Sequence, residues 1–312
     1  MVRLVLDTDT AADDCFALLA CLCHPAADLA AVTVVAGNVS FDRQLHNALL
    51  TMDVADRTGA VPVHPGARAP LARPWVSAEY VHADGVGGHD WPAPRGQVSG
   101  EHAVNALLRL ADAHAGQLDL VCIGPLTNVA TALAIDRALP AKIRHLYVMG
   151  GSNNWRGNIT PAAEYNFYVD PEAARAVLAA GFQLTIVDWR LTVAQAVFDD
   201  GELAALAALD TPRSRFFTTV NQPTLRFDRS VGIAGSTHPD LLTALIALDP
   251  ALVVRSGRYH VDVETAGELT RGYSVFDWGV FGHEPNATVV EEIDHDAFYT
   301  AVRTLLAGPV PG

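Results

Sequence analysis

An α/β fold, with a Rossmann-like open and mostly parallel sheet between flanking helices, is the architecture this 312-residue sequence predicts. Short β-rich apolar runs alternate with helical patterns from end to end, the rhythm of β-α-β units. The runs lack polar alternation, so both faces of each strand are buried under helices, as parallel strands require. No internal repeat and no linker rich in Pro, Gly or Ser divides the chain, so residues 1–312 read as one domain.

In order, Val2–Leu6 is a buried-strand run and Asp14–Cys23 a helix that stops before Pro25. Leu29–Ala36 is the second strand, followed by a helix over Arg43–Thr58 and a strand at Val61–His64. Glu101–His114 (helix), Leu118–Ile123 (strand), Leu126–Ala134 (helix) and His145–Met149 (strand) continue the alternation. Pro171–Ala180 (helix) and Leu184–Val187 (strand) close the regular part. Beyond about residue 190, helices are expected at Gly201–Leu209, Arg213–Asn221 and Leu241–Leu248. Strands follow at Ala251–Arg255, His260–Glu264 and Thr288–Glu291, then a helix at Asp296–Leu306 and a frayed tail, Gly308–Gly312. The Pro/Gly-rich stretch 65–100 exceeds a plain connection, a length that predicts a lid over a site.

Composition narrows the function. Half the residues are hydrophobic and 18% are charged, which excludes a disordered chain. Lys and Arg number 21 against 35 Asp and Glu, a formal charge of −14 that argues against gripping nucleic acid or an anionic membrane. No secretory pattern follows Met1 and no apolar run approaches a membrane span, so a cytoplasmic location is expected. Cys15, Cys21, Cys23 and Cys122 sit inside apolar patterns and read as reduced, buried thiols.

The chemistry concentrates after the first strand. Leu6-Asp7-Thr8-Asp9-Thr10-Ala11-Ala12-Asp13-Asp14 sets four carboxylates within eight residues where ligands bind in open α/β sheets. Asp13 and Asp14 can be explained as acids at a helix N-terminus, but Asp7 and Asp9 on the strand side cannot. A hard divalent ion with oxygen ligands accounts for the cluster economically. An Asp-x-Asp-x-Thr start also suits a Mg²⁺-dependent phosphatase of the haloacid dehalogenase type, with Asp7 as nucleophile. That chemistry needs a lysine and a later acidic pair; Lys142 stands alone, with no Gly-Asp-x-x-x-Asp after it.

Asp7-x-Asp9-x-x-x-Asp13-Asp14 resembles the signature of the inosine–uridine preferring nucleoside hydrolase family. Further matches follow in the family's order: Gly37-Asn38, His82 in Ala78-Glu79-Tyr80-Val81-His82, and Ile123-Gly124-Pro125-Leu126-Thr127-Asn128. Val148-Met149-Gly150-Gly151, Gly157-Asn158 through Glu164-Tyr165-Asn166, and Asp170-Pro171-Glu172 complete the series.

The resemblance implies Ca²⁺-dependent hydrolysis of the N-glycosidic bond of a ribonucleoside, by a homodimer or homotetramer. It implies that Asp9, Asp14, the Thr127 carbonyl and Asp240 hold the ion, with Asp9 also the general base. Asp13, Asn38, Met149, Asn158, Glu164, Asn166 and Phe227 would then bind the substrate. Gly150-Gly151 would give the chain room to turn beside the sugar.

Three departures stand out. The family's His-Asp-Pro is here Thr237-His238-Pro239-Asp240, so proline fills the usual place of the histidine that protonates the base. His238 or His82 would have to serve instead, with His89 more remote. If neither does, a non-catalytic nucleoside sensor that keeps the metal site is the alternative. The His82-Ala83-Asp84-Gly85 stretch is one residue short, and Asp188-Trp189-Arg190-Leu191-Thr192 replaces the usual Pro-Leu-Asp-Val-Thr. Trp189 and Arg190 there either reshape the base pocket or repack the sheet edge, the second being the expectation. Trp75, Tyr80, Trp91, Tyr165, Trp189 and Phe227 are candidates to stack on the base, and Gln222, Arg226 and Asp228 to bond its edge.

Overall fold

The computed structural model describes residues 1–308; the expected fraying of the tail falls, from residue 309 onward, outside them. Its strands are β1 (Val2–Thr8), β2 (Ala27–Val34), β3 (Val63–Pro65), β4 (Leu118–Cys122), β5 (Ile143–Met149) and β6 (Leu184–Val187). They continue with β7 (Val197–Phe198), β8 (Ser236–Thr237), β9 (Val253–Val263), β10 (Ser274–Asp277) and β11 (Ala287–Ile293).

Nine of these form one sheet in the order β10-β9-β11-β6-β5-β4-β1-β2-β3. From β3 to β11 every neighbour pairs parallel, and β9 and β10 add an antiparallel margin. β7 and β8 make a separate antiparallel pair. The side-chain period of two sends Val5 to one core and Leu4 and Leu6 to another, each fully buried. Helices Ala103–Ala113, Thr127–Ile135 and Pro171–Leu178 cover the first side. Helices Asp13–Cys23, Phe41–Val54 and Pro239–Leu248 cover the second. Burial on both faces is why the strands read as unbroken apolar runs.

The regular part agrees with the sequence reading to within a few residues at each end. One expectation needs correction: Ala251–Arg255 and His260–Glu264 are not two strands. A short 3-10 turn at Pro250–Leu252 leads into one continuous strand, β9, because Ser256, Gly257 and Arg258 pair straight through with Val290, Val289 and Thr288 of β11. All four cysteines are free and buried, and no helix among the described residues is long and apolar enough to cross a membrane.

The strand order positions the site. From β1 the chain winds outward through β2 and β3; from β4 it winds the opposite way through β5 and β6. The carboxyl ends of β1 and β4 therefore flank the reversal point, where crossovers diverge and leave a crevice.

Candidate active site

A cleft of about 670 Å³, mouth included, opens over that reversal point. Asp13, Asn38, His82, Met149, Asn158, Glu164, Asn166, Phe227 and Asp240 line it, so most of the expected site residues come together. Asp9, Asp14 and Thr127 are buried and are not among the lining residues; Asp9 and Asp14, both fully buried, are bonded to Asn38, which is. His238 is also fully buried and is not among the lining residues. Of the long 65–100 stretch, Ala78, Tyr80, Val81 and His82 reach the cleft, through a short helix at Glu79–His82.

Asp9 leaves β1 with its two carboxylate oxygens in different situations. Oδ2 accepts the Asn38 backbone N–H at 2.8 Å, while Oδ1 is buried without a partner. Burial, and then the charge of Asp14, hold its pKa well above the usual carboxylate range. Space for this group exists because Gly37 and Gly124 carry no side chain: a Cβ on either would overlap an Asp9 oxygen. Asp14 is tied down more fully, accepting from Thr8 Oγ1 (2.7 Å), Asn38 Nδ2 (3.0 Å) and the backbone of Asp9 and Ala11. Burial pushes it up to about 6.

Asp240 stands in the first turn of helix Pro239–Leu248, raised well above its usual range by burial and by the charges of Asp14, Asp13, Asp9 and Glu164. Asp13 braces that helix: its Oδ2 accepts the N–H groups of Asp240 (2.7 Å) and Leu241 (3.2 Å). The Thr127 carbonyl opens helix Thr127–Ile135 and accepts the Thr131 hydroxyl.

On the far wall, Glu164 caps helix Tyr165–Val169 and accepts N–H groups from Gly151, Asn166 and Phe167; burial raises it to about 7. Gly151 turns there at φ 76°, a conformation that L side chains resist. Asn158 Oδ1 accepts from Tyr165 N, and Asn166 Nδ2 donates to the carbonyls of Ile123 and Met149. One amide therefore keeps its NH₂ free for a ligand and the other keeps its oxygen.

The base end is aromatic and polar by turns. Tyr80, Tyr165, Trp189 and Phe227 line the cleft, with Tyr80 and Phe227 edge to face at 5.8 Å. Trp189 thus enters the cleft, in keeping with its place among the stacking candidates and not with repacking of the sheet edge; Arg190, exposed, leaves it. Trp75 and Trp91 bond backbone carbonyls instead, and Gln222 and Arg226 point to solvent. Sequence reading missed Thr224, whose hydroxyl is buried without a partner; helical spacing places it beside Asp228, one turn on. His82 keeps part of its surface exposed, yet its Nδ1 is shut off without a partner, and that desolvation lowers the imidazole to about 4.

A model of the family described as inosine-uridine preferring nucleoside hydrolase matches residues 4–300. The chain belongs to that family. As a nucleoside hydrolase it acts on the N-glycosidic bond of ribonucleosides. It is 35% identical over 312 residues to the pyrimidine-specific ribonucleoside hydrolase RihA of Shewanella sp. strain MR-4, covering 99% of this chain and 97% of that protein. It is 32% identical to the pyrimidine-specific RihB of Escherichia coli O157:H7, over 98% and 97% of the two chains. Among solved structures, a plant nucleoside hydrolase superposes with TM-score 0.90 at 26% identity, over 99% of each chain. An inosine-guanosine nucleoside hydrolase superposes with TM-score 0.88, also at 26%, over 98% and 99%. The phosphatase alternative loses its nucleophile as well as its motifs. Asp7 is sealed inside the sheet, accepting from Thr33 Oγ1 and Asn128 Nδ2, away from the cleft.

Asp7 makes a stability prediction. Burial raises it to about 7, so the folded hydrolase favours the protonated form; its contribution is complete at low pH and is lost between about pH 4 and pH 7. Asp7→Asn mimics the neutral acid and cannot lose that contribution. Thermal melts should show variant and wild type matched near pH 4. At pH 8 the variant should be ahead by on the order of 3 kcal/mol. A gap that is constant across this range would show that Asp7 does not titrate as described.

Proposed function

We propose that this hydrolase cleaves ribonucleosides, pyrimidines preferentially, in a Ca²⁺-dependent reaction with Asp9 as general base. The observation that carries the reading is the unpartnered, buried Asp9 Oδ1: an acid of raised pKa with one oxygen fixed and the other free to take a proton from water. Among the described residues no three acidic, His or Cys side chains stand at ligand spacing, so a cation has to draw its set closer together. The donor chemistry suits a hard ion nonetheless: oxygen ligands only, in a cluster whose members raise one another's pKa. Asp9, Asp14, Asp240 and the Thr127 carbonyl are the residues that would hold it. When bound, Ca²⁺ supplies positive charge that offsets these carboxylates and polarises water beside Asp9.

The chain's own groups supply the rest. The free NH₂ of Asn158, the free oxygen of Asn166, and Glu164, with Asn38 and Asp13 nearby, pair with ribose hydroxyls over a floor formed by Met149. Phe227, Tyr80 and Trp189 close on the base and exclude water from the bond being broken. His82, neutral because it is desolvated, donates a hydrogen bond to the departing base as negative charge develops on it. The pyrimidine preference is supported by the full-length similarity to relatives named pyrimidine-specific, and by the polar pair Thr224 and Asp228 on the base wall.

Release of free ribose from a panel of purine and pyrimidine ribonucleosides tests this. Treatment with a chelator should abolish turnover, and added Ca²⁺ should restore it. Activity indifferent to both would remove the calcium assignment; equal or better turnover of purines would remove the preference.

A further inference from the structure

The insertion of Pro239 between histidine and aspartate gives this chain's His238 a different seat from the one its position in sequence suggests. The imidazole is fully buried against three rings: Phe198 with centroids 4.7 Å away, Phe217 at 5.3 Å and Phe16 at 6.0 Å. Its Nε2 is sealed without a partner, and its Nδ1 lies 3.0 Å from Asp13 Oδ1. The backbone is anchored as well, since His238 N–H donates to the Ala196 carbonyl at 3.1 Å. The other oxygen of Asp13 accepts the N–H groups of Asp240 and Leu241. A chain of bonds therefore runs from His238 through Asp13 to the backbone of Asp240.

We propose that His238 is a positioning residue: it orients Asp13, and through it the first turn carrying Asp240, and does not protonate the leaving base. This rests on the functional reading above and deepens it. Nδ1 is engaged by Asp13, Nε2 is sealed without a partner, and His238 is not among the residues that line the cleft, so neither nitrogen is placed against a departing base. Proline at the first helical position fixes the turn that directs the imidazole away. A residue that holds a ligand in place through a hydrogen-bonded neighbour sets the ligand's geometry, and its loss costs roughly 10- to 100-fold in metal affinity or activity.

The test compares a nucleoside with 4-nitrophenyl β-ribofuranoside, whose leaving group departs as a stable phenolate and needs no proton. His238→Phe fills the aromatic seat but cannot bond Asp13; His238→Asn retains an N–H near the place of Nδ1. In His238→Phe, turnover of both ribosides should fall by the same factor, roughly 10- to 100-fold. Ca²⁺ binding measured by calorimetry without substrate should weaken by roughly tenfold, and His238→Asn should recover most of both losses. If either variant loses nucleoside turnover while sparing the nitrophenyl riboside, His238 is the proton donor and the proposal is overturned. Unchanged turnover of both ribosides in His238→Phe also overturns it. Should His238→Phe not fold, the ratio of the two ribosides in His238→Asn decides alone. A wild-type protein that turns over ribosides but binds no Ca²⁺ refutes the calcium reading, while the riboside ratio still judges His238.

Discussion

Asp9→Asn is expected to lower kcat for ribonucleoside hydrolysis by about 10³-fold while leaving the fold intact. An amide at this position keeps an oxygen for the Asn38 N–H, the bond Asp9 Oδ2 makes now. It puts a group that cannot take a proton where the unpartnered Oδ1 stands. It also removes one of the carboxylates whose charge lifts Asp240, so stability should hold or rise. That separates chemistry from folding: a thermal melt at or above wild type together with a thousandfold loss of ribose release that raising Ca²⁺ to saturation does not restore locates the defect in the reaction. KM should move far less than kcat, because the ribose contacts of Asn158, Glu164 and Asn166 are untouched. Turnover within tenfold of wild type would remove Asp9 from its proposed role as base.

How far the sequence could carry this assignment depends on the range of the interactions involved. The acidic turn after β1 was legible because four carboxylates in eight residues exceed what one helix N-terminus can use. Even so, spacing alone did not separate Asp7 from Asp9; the family resemblance assigned the chemistry to Asp9 without a physical reason for leaving Asp7 out. That distinction comes from Thr33 and Asn128, which reach Asp7 from 26 and 121 residues away. The strands from β1 to β6 were legible because burial on both faces writes itself into local composition. β10 was not, since its four residues gain their character by pairing with β9. Trp189 could be named from sequence only as one of several aromatic candidates, and its place in the cleft is set by the turn after β6. The seat of His238 was the least legible of all: its three rings come from a helix, a two-residue strand and a second helix far apart in sequence.

Gly37→Ala is the substitution by which a single methyl group should disable the site. Gly37 and Gly124 face the two oxygens of Asp9. An added Cβ at Gly37 falls inside van der Waals contact of Oδ2 and lies 2.6 Å from the carboxylate carbon. The backbone carries the Asn38 N–H that Oδ2 accepts, so it cannot retreat without breaking that bond. The carboxylate must yield instead, and Gly124, where a Cβ would stand 2.7 Å from Oδ1, marks how closely the opposite side is already packed. A shift of about 1 Å in a reacting group costs on the order of 10²-fold, so kcat should fall by about that factor. Overpacking should cost about 1–3 kcal/mol of stability. The decisive control is the double variant. If Gly37→Ala acts through Asp9, then in an Asp9→Asn background it should cost almost nothing further in kcat, because the group it displaces no longer takes the proton. A second hundredfold loss in that background would show that Gly37 serves the site independently of Asp9, and full activity in Gly37→Ala alone would show that the carboxylate can move without penalty.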